Sequence, residues 1–443
     1  MSAGILRFVT GQLAAPALRK AVAECGLDRP HEVTVLPAQV AALMTPGYIA
    51  RRLPPNLGGE LMIPGRCAGE LGELRAHTGA KVIRGPKELD DLPAHFGFAR
   101  APRPYGAPKL QILAEIVDAP LLSIPQLVRR ANHYRAQGAD WIDLGCRNDT
   151  PFPHLAGAVR ALRRRGINVS VDTFNPAELR AASRAGARMF LSVNSANLEA
   201  ARALKGTVVV IPDFGKGLPS LYRNAERLAR WNVDFILDPI LDPLPLGAAR
   251  SIARYVEVRR RFPEARMLMG VGNLVELTAA DNVGINALLA GFMAEMGINY
   301  ALTTEVAPWN RGAVRQLSIA RHIMERAVDE GTPPKGYDRR LLVLRDAKGA
   351  PFSAAQVAAM RRKVRDPNFR IFVAGGMIHV FNSRVYVKTK SADGVFAKLD
   401  VADPSHAYYL GRELERAENA LRLGKRYTQE NPLDWGYLDG GGE

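Results

Sequence analysis

The chain has 443 residues, of which 47% are hydrophobic and 23% are charged, a composition that excludes a disordered protein and fits two or three folded domains. The formal net charge is +16, but Lys and Arg are spread along the whole chain. The basic runs 163–165 and 259–261 lie in predicted helices without interleaved aromatic residues. We therefore expect solvated helix faces and no nucleic-acid partner; the alternative is a positive field that attracts anionic substrates.

Membrane and zinc-binding classes are also disfavoured by the sequence. No run of about 18 apolar residues is present, so we expect no membrane-spanning helix and no membrane partner. The first residues lack a basic region before an apolar stretch, so no signal peptide is predicted. The cysteines Cys25, Cys67 and Cys146 are far apart and form no CxxC pair, which favours a reducing, cytoplasmic location and no structural metal site.

The first segment, residues 1–100, alternates short apolar runs with helical ones. The runs "ILRFV", "EVTVL", "GELMIPG" and "KVIRG" are separated by "APALRKAVAEC", "AQVAALM" and "GELGELRAHT". This alternation predicts a small parallel α/β domain of the Rossmann or flavodoxin type. Within it, "PGRCAGEL" and "VIRGPKEL" indicate either an anion site near strand ends or ordinary turns and caps. The stretch "FARAPRPYGAPK" then has the composition of a linker.

From residue 108 to residue 330 the alternation becomes regular. Eight strand patterns alternate with eight helical patterns; the strands are "LQILAEIV", "DWIDLG", "INVSVD", "RMFLSVN", "TVVVIPD", "VDFILDP", "RMLMGVG" and "NYALTTE". Their number and spacing predict a (β/α)8 TIM barrel. A doubly wound sheet is the alternative, but no glycine-rich fingerprint follows its first strand.

A third unit is expected at residues 336–435. It contains "LLVLRD", "RIFVAGG" and "MIHVFNSRVYVKTKS", followed by the amphipathic helix "AYYLGRELERAENALRLG". Strand patterns followed by a helix predict an α+β domain.

Polar residues stand at nearly every predicted carboxyl end of the barrel strands. In chain order they are Glu115, Asp118, Asp143, Arg147, Asp172, Asn194, Ser195, Asp213, Lys216, Asp238, Asn273, Thr304 and Glu305. Any one of them could be a helix cap, including Asp172, which precedes Pro176. Together they predict an acidic, amide-lined mouth at the end of the barrel where active sites lie.

Such a mouth suits a flat heterocycle that is rich in N–H groups. Carboxylates accept hydrogen bonds from amino and ring N–H groups, and an Asn side chain both donates and accepts them. A 2-aminopyrimidinone, as found in a pterin, presents that pattern. We therefore expect Asp172 to accept hydrogen bonds from the edge of such a ring.

These residues resemble motifs of the pterin-binding barrel family, which contains dihydropteroate synthases and methyl-tetrahydropterin methyltransferases. "VSVDTFNPAELRAASRAGA" resembles the third-strand motif, "GADWIDLGCRNDTP" the second, "LSVNSAN" the fourth and "FILDP" a later strand. The resemblance covers the middle half of the chain. It implies that Asp172, Asn194 and Asp238 bind a pterin ring and that Asp143 supports the site.

With its flanking domains, the chain looks like the dihydropteroate synthase-related proteins of organisms that make tetrahydromethanopterin. The resemblance implies a transferase that condenses a 6-hydroxymethyl-dihydropterin diphosphate with an arylamine. It also implies a possible homodimer, and Mg²⁺ could accompany the diphosphate although no cofactor is firmly implied. The alternatives are a methyltransferase that uses a methyl-tetrahydropterin and a non-catalytic pterin carrier.

The sequence departs from the synthase pattern at two strands. The synthases carry a lysine after strand seven and an Arg-x-His pair on the last strand, whereas the corresponding stretches here are "GVGNLVELTAADN" and "YALTTEVAPWNRG". "GVGN" is closer to the methyltransferase branch, in which Asn273 would lie near the pterin. The candidate replacements for the missing anion-binding groups are Arg147, Lys216 and Arg311. No catalytic residue is assigned from the sequence.

Overall fold

A computed structural model describes residues 4–98, 105–147, 150–346, 351–396, 398–399 and 401–440. Residues 99–104 of the predicted linker lie outside these ranges. The chain divides into two compact units, Met1–Tyr337 and Asp338–Glu443. Within the described ranges, no helix is both long and apolar enough to cross a membrane.

The first unit begins with a four-stranded parallel sheet in the order β2-β1-β3-β4. Its strands are β1 (Leu6–Thr10), β2 (His31–Val35), β3 (Glu60–Ile63) and β4 (Lys81–Arg84). The helices around it are α1 (Ala15–Glu24), α2 (Pro46–Ala50), α3 (Gly72–Thr78) and α4 (Leu92–His95). Phe8 and Met62 pack on one face of the sheet with Leu18, and Val9 and Ile63 pack on the other. Both faces are therefore covered, as expected for a parallel sheet.

The strand order of this sheet reverses between β1 and β3. The chain moves from β1 to β2 on one side and then crosses back to β3 on the other side of β1. The connections that follow β1 and β3 consequently diverge and leave a crevice at the carboxyl ends of these strands.

The remainder of the first unit is an eight-stranded parallel sheet that curls into a nearly closed barrel. Its strands are β5 (Gln111–Ile116), β6 (Trp141–Gly145), β7 (Asn168–Asp172), β8 (Met189–Val193), β9 (Thr207–Val210), β10 (Phe235–Leu237), β11 (Leu268–Gly270) and β12 (Tyr300–Thr303). They follow the order β10-β9-β8-β7-β6-β5-β12-β11. A parallel bridge between Leu237 and Met267 closes the remaining gap. The predicted TIM barrel is confirmed.

Helices surround the barrel, and apolar side chains fill its lower interior. The helices are α5 (Ile124–Ala136), α6 (Leu155–Arg163), α7 (Pro176–Ala185), α8 (Gly217–Arg230), α9 (Ala248–Arg261), α10 (Gly272–Val275), α11 (Val283–Glu295) and α12 (Ala313–Glu330). Leu113, Leu191, Val209 and Leu268 pack together inside the strands. This layer forms the floor of the mouth because alternate residues of a strand face the same side.

Two predicted barrel helices differ from the structure. The fourth is a 3₁₀ helix, Leu198–Ala203, because Asn197 donates to Ser192 O and accepts from Asn194 N, which holds the connection in a tight turn. The sequence pattern "LTAADNVGINALLAGFMAEM" predicts a helix from residue 277, but the helix begins only at Val283. The side-chain amide of Asn282 donates to Trp309 O and to Asn310 Oδ1 of another loop, and the helix begins after this residue.

The second unit contains a three-stranded antiparallel sheet and a helix of 20 residues that packs on it. The strands are β13 (Arg370–Ala374), β14 (Met377–Phe381) and β15 (Tyr386–Thr389), and the helices are α13 (Ala354–Arg361), α14 (Asp393–Phe396) and α15 (Pro404–Leu423). Gly375 and Gly376 both have positive φ angles, which the tight hairpin between β13 and β14 requires. Leu410 and Leu414 of α15 pack on the sheet. "LLVLRD" forms no strand among the described residues.

Candidate functional site

Three carboxylates converge inside the carboxyl end of the barrel. Glu115 of β5 pairs in register with Asp143 of β6, which pairs with Ser170 of β7, and Asp172 ends β7 two residues later. Carboxylate oxygens of Glu115, Asp143 and Asp172 all lie within 4.8 Å of one another. In each strand, the acidic residue stands an even number of residues from a side chain that faces the barrel interior. Because alternate residues of a strand face the same side, all three acidic side chains point inward.

Burial makes this group electrostatically costly. Asp143 is fully buried, and neither of its carboxylate oxygens has a hydrogen-bond partner among the described residues. Burial and then the charge of Asp172 raise the pKa of Asp143 to about 8, although the nearby hydroxyl of Ser170 opposes the change. Burial raises the pKa of Asp172 to about 6, and burial with the charges of Asp143 and Asp172 raises the pKa of Glu115. The site is therefore ready to take up protons, N–H donors or a cation.

Asp238 lies at the end of β10 with its own supporting contacts. Its Oδ1 accepts from the hydroxyl of Tyr255 at 2.8 Å and from Ile240 N at 2.8 Å. Burial raises the pKa of Asp238 to about 6, although these hydrogen bonds oppose the change. Tyr255 on α9 is itself fully buried. Its role could not be read from the sequence, where it is one of several residues on the buried face of a helix.

Asn194 keeps one side of its amide available. Its Oδ1 accepts from Ala196 N at 3.0 Å. Its Nδ2 has no partner among the described residues, although the residue is only 4% exposed. This amide nitrogen can donate to a ring nitrogen or carbonyl in the mouth.

Asp213, by contrast, is held by its own neighbours. Ser195 donates to it from its backbone N (3.0 Å) and its hydroxyl (2.8 Å), and Asn224 donates at 3.1 Å. Burial acts to raise the pKa of Asp213, but these bonds and the charge of Lys216 outweigh it, and the pKa is lowered. We interpret Asp213 as a tie between β9, the loop after β8 and α8.

The loop after β11 brings two further polar residues to the mouth. Asn273 is exposed, and its amide donates to Leu241 O at 3.0 Å. Glu276 lies three residues later, and its charge contributes to the raised pKa of Glu115. Glu276 was missed in the sequence. Glu276 lies three residues after Asn273 on the same helical turn, and this i, i+3 spacing is the sequence signal that points to it.

The three candidate anion-binding residues are placed separately. Arg147 is 3.3 Å from Asp118, and Lys216 is 3.7 Å from Asp213. Arg311 lines a cavity of about 560 Å³ that adjoins Glu115 and Asp118, and Lys216 does not line it. Arg130, His133 and Tyr134 of α5 also line this cavity. Arg311 and Asp118, which is the partner of Arg147, therefore line the same cavity, whereas Lys216 does not line it.

Glu305 has a clear structural role at the edge of this cavity. Its carboxylate accepts from Val314 N at 3.1 Å, at the start of α12. Burial raises the pKa of Glu305, and the hydrogen bonds from Val314 and Gly312 oppose the change. A carboxylate in this position satisfies free N–H groups of the helix terminus.

The oxygen ligands of Glu115, Asp143 and Asp172 fit a hard divalent cation such as Mg²⁺. Within the ranges that the structure describes, they form the candidate metal-binding group of acidic, His or Cys side chains. Cys146 lies nearby, but burial raises the pKa of its thiol, so it is not a thiolate nucleophile at neutral pH. The sequence-based expectation of no metal site stays a prediction.

Comparisons with known proteins give matches to each part of the chain. Residues 4–87 match a family of unknown function, DUF6513, and residues 375–430 match the family PterinBD-DUF4346. The chain is also similar to the Uncharacterized protein MJ0107 of Methanocaldococcus jannaschii. The two are 28% identical over 524 aligned residues, which cover 96% of this chain and 98% of that protein.

Among solved structures, the chain is similar to dihydropteroate synthases. That of Yersinia pestis, in a sulfonamide drug complex, is 18% identical, with a TM-score of 0.41 over 50% of this chain and 94% of that one. That of Burkholderia cenocepacia, complexed with 7,8-dihydropteroate, is 17% identical, with a TM-score of 0.39 over 50% of this chain and 92% of that one.

Proposed function

We propose that the barrel binds a pterin and acts as a transferase of tetrahydromethanopterin biosynthesis. The observation that supports pterin binding most is the group of three carboxylates at the mouth, of which Asp143 is fully buried with no hydrogen-bond partner on either oxygen among the described residues. A ligand that presents several N–H donors would relieve the repulsion between these groups. The match of residues 375–430 to PterinBD-DUF4346 is in keeping with a pterin ligand.

The proposed contacts follow from the hydrogen-bonding capacity of each side chain. Asp172 and Asp238 would accept from the amino and ring N–H groups of the pterin. Asn194 would donate its free Nδ2 to a ring nitrogen or to the carbonyl. The carboxylate oxygens of Asp143 and Asp172 lie within 4.8 Å of each other, and Asp143 would hold a proton or share one with Asp172, since the pKa values of both are raised.

In the proposed condensation, the arylamine nitrogen attacks the methylene carbon of the 6-hydroxymethyl-dihydropterin diphosphate. The C–N bond forms as the C–O bond breaks; the diphosphate leaves with the electron pair, and the amine loses a proton. The cavity beside Glu115 carries Arg130 and Arg311, which could contact the diphosphate. Mg²⁺ bound by mouth carboxylates would supply additional charge for the leaving group.

A methyltransferase that uses a methyl-tetrahydropterin is the second candidate. The position of Asn273 at the mouth and the separation of Lys216 from the cavity favour it. In that reaction no diphosphate needs to be bound, so an acidic mouth without a cluster of cations would suffice.

Calorimetric binding separates these proposals. We would titrate the chain with 6-hydroxymethyl-dihydropterin diphosphate, with and without Mg²⁺, and with methyl-tetrahydromethanopterin. Preference for the diphosphate that depends on Mg²⁺ supports condensation, and preference for the methylated pterin supports methyl transfer. Asp172→Asn should weaken the favoured ligand by about 10- to 100-fold, the value of a hydrogen bond to a charged group.

The matched control for that variant is Asp329→Asn. Asp329 is an exposed carboxylate that pairs with Lys109 outside the mouth. Its replacement should leave binding unchanged. Absence of binding by every pterin, in a chain with a normal unfolding transition, would refute the proposed function.

A further inference from the structure

The first sheet carries a cavity that the proposed function does not use. It has a volume of about 370 Å³ and lies at the carboxyl ends of β1, β3 and β4. This is the crevice produced by the strand-order reversal between β1 and β3, which is where ligands bind to open parallel sheets. Residues 332, 333, 335 and 337, which follow α12, close one side of it.

The two loops that the sequence singled out meet at this cavity. "PGRCAGEL" contributes Gly65 and Arg66, and "VIRGPKEL" contributes Gly85 and Lys87. A Cβ atom on Gly65 would lie 2.3 Å from Gly85 O, so only glycine allows the loop backbones to approach this closely. Both loops therefore line one cavity, which supports the interpretation that they form an anion site.

The body of the cavity is apolar. Ala17, Leu18 and Ala21 of α1 line it together with Met62 and Leu92. At its edge Leu13 and Val40 are 56% and 42% exposed, although both are large and hydrophobic. A concave, mainly apolar space of this size with a few polar groups is typical of a small-molecule site.

The polar groups around the cavity are mainly cationic. Its lining carries four basic residues, Lys20, Arg66, Lys87 and Lys335, against two acidic ones, Glu24 and Glu88. Arg66 and Lys335 both pair with Glu88, and Lys20 pairs with Glu330. Lys87 is exposed, and its side chain has no partner among the described residues, whereas its backbone O accepts from Arg66. The lining therefore keeps a net positive charge that suits an anionic group.

This cavity lies far from the carboxylates of the mouth. The helix α12 starts beside Glu305 at the mouth and ends at Glu330, which contacts Lys20 of the cavity. Its 18 residues span about 27 Å at 1.5 Å per residue. An occupant of the cavity cannot touch Asp172, so this site is separate from the pterin site.

We propose that this cavity binds a small organic anion. The apolar, ring-sized body of the ligand lies against α1 and Met62, and its phosphate, sulfonate or carboxylate lies beside Lys87 and Lys335. Because the lining comes from both the first sheet and the segment after α12, the ligand also fixes the first sheet against the barrel.

The test uses the full chain and the fluorescent probe 8-anilinonaphthalene-1-sulfonate, which combines an aromatic body with one negative charge. We expect saturable binding of one probe per chain, and displacement by 1-naphthyl phosphate at a concentration at least about tenfold below that needed for inorganic phosphate. Ala17→Phe, which fills the cavity, and Lys87→Glu, which reverses its exposed charge, should each weaken the probe about tenfold, a change of about 1.4 kcal/mol.

The matched control is Lys205→Glu, which reverses an exposed charge beside the barrel strands and should leave probe affinity unchanged. Lys87→Glu changes an exposed side chain and so tests the site even if Ala17→Phe does not fold. Probe binding that Lys87→Glu leaves intact, no saturable binding, or equal displacement by inorganic and naphthyl phosphate would overturn the proposal. Calorimetric pterin binding, measured on the same variants, reports on the mouth separately.

Discussion

The barrel mouth and the C-terminal unit both bury charged groups, but they treat them in opposite ways. In the C-terminal unit, Lys425 is fully buried; its Nζ lies 3.2 Å from Asp346, also donates to Asp434 O, and stands 4.8 Å from the ring centre of Trp435. At the mouth, Asp143 is equally buried but has acidic neighbours and no hydrogen-bond partner among the described residues.

The difference separates charge that stabilises a fold from charge that is kept for a ligand. A buried ion whose bonds are complete adds to the structure around it, and removing its partner is strongly destabilising. A buried ion without partners lowers stability and persists at functional sites, where perturbed pKa values cluster. We therefore expect replacement of Lys425 and replacement of Asp143 to change stability with opposite signs.

The largest effect is expected for Lys425→Met. The substitution removes the ammonium group that pairs with the carboxylate of Asp346 and leaves that carboxylate with the backbone N–H of Arg426, which should lower the free energy of unfolding by about 3–5 kcal/mol. Chemical denaturation, followed by a signal from the C-terminal unit such as Trp435 fluorescence, measures the change. Lys398→Met, at an exposed position, is the control and should have little effect. Equal stability of the two variants would show that the buried pair is not structural.

The opposite sign is expected for Asp143→Asn. Because the folded pKa of Asp143 is about 8 and lies above its unfolded value, the native state binds more protons between about pH 4 and 8. The native state therefore becomes less stable as the pH rises and Asp143 ionises. Asn avoids this loss of stability because it cannot ionise. We expect stabilisation of about 1–4 kcal/mol at pH 8 and less at pH 5.

Thermal unfolding at the two pH values tests this prediction. The control is Asp234→Asn: burial acts to raise the pKa of Asp234, but bonds from Arg266 and Thr207 outweigh it and lower the pKa. That variant should lose a little stability at pH 8, since its folded pKa is depressed. Destabilisation by Asp143→Asn at pH 8 would mean that the carboxylate has partners in solution.

A smaller effect is expected for Tyr255→Phe. The variant removes the 2.8 Å bond to Asp238 and should cost about 1–2 kcal/mol at pH 8. The cost should fall at pH 5, below the pKa of about 6, because a protonated Asp238 accepts a weaker bond. Tyr222→Phe breaks a bond to the exposed Glu257 and should change stability by less than about 0.5 kcal/mol. A loss independent of pH would point to packing instead.

The smallest expected effect is the release of a fraction of a proton when a pterin binds. Since N–H donors favour ionised Asp172 and Asp238, pterin binding near pH 6 should release protons, and affinity should rise with pH through about 6. Calorimetry in buffers of different ionisation enthalpy counts the protons. Proton uptake would mean that the pterin binds to protonated carboxyl groups.

The sequence predicted the barrel well because strand periodicity is local. All eight strands lie within the segments chosen for them, and Asp143, Asp172 and Asp238 stand at or near strand ends as expected. Strand alternation also places Asp143 inside the barrel. Burial of a carboxylate without a partner, however, depends on which strands become neighbours, and no local pattern contains that information.

Residues that reach the mouth from helices were harder to find. Tyr255 contacts Asp238 from α9, and Arg130 reaches the cavity beside Glu115 from α5. Their directions are set by helix packing against the barrel. The predicted start of α11 was wrong for a related reason. The side chain of Asn282 bonds to residues 309 and 310, which are distant in sequence.

The helix α12 joins the two ends of the first unit, since Glu305 binds its first turn and Lys20 contacts its last residue. If binding at either end changes the position of this helix, the binding equilibria of the two proposed ligands are linked. Thermodynamic linkage then requires reciprocity: if pterin at the mouth changes the affinity of the distant cavity by some factor, an anion in that cavity must change pterin affinity by the same factor.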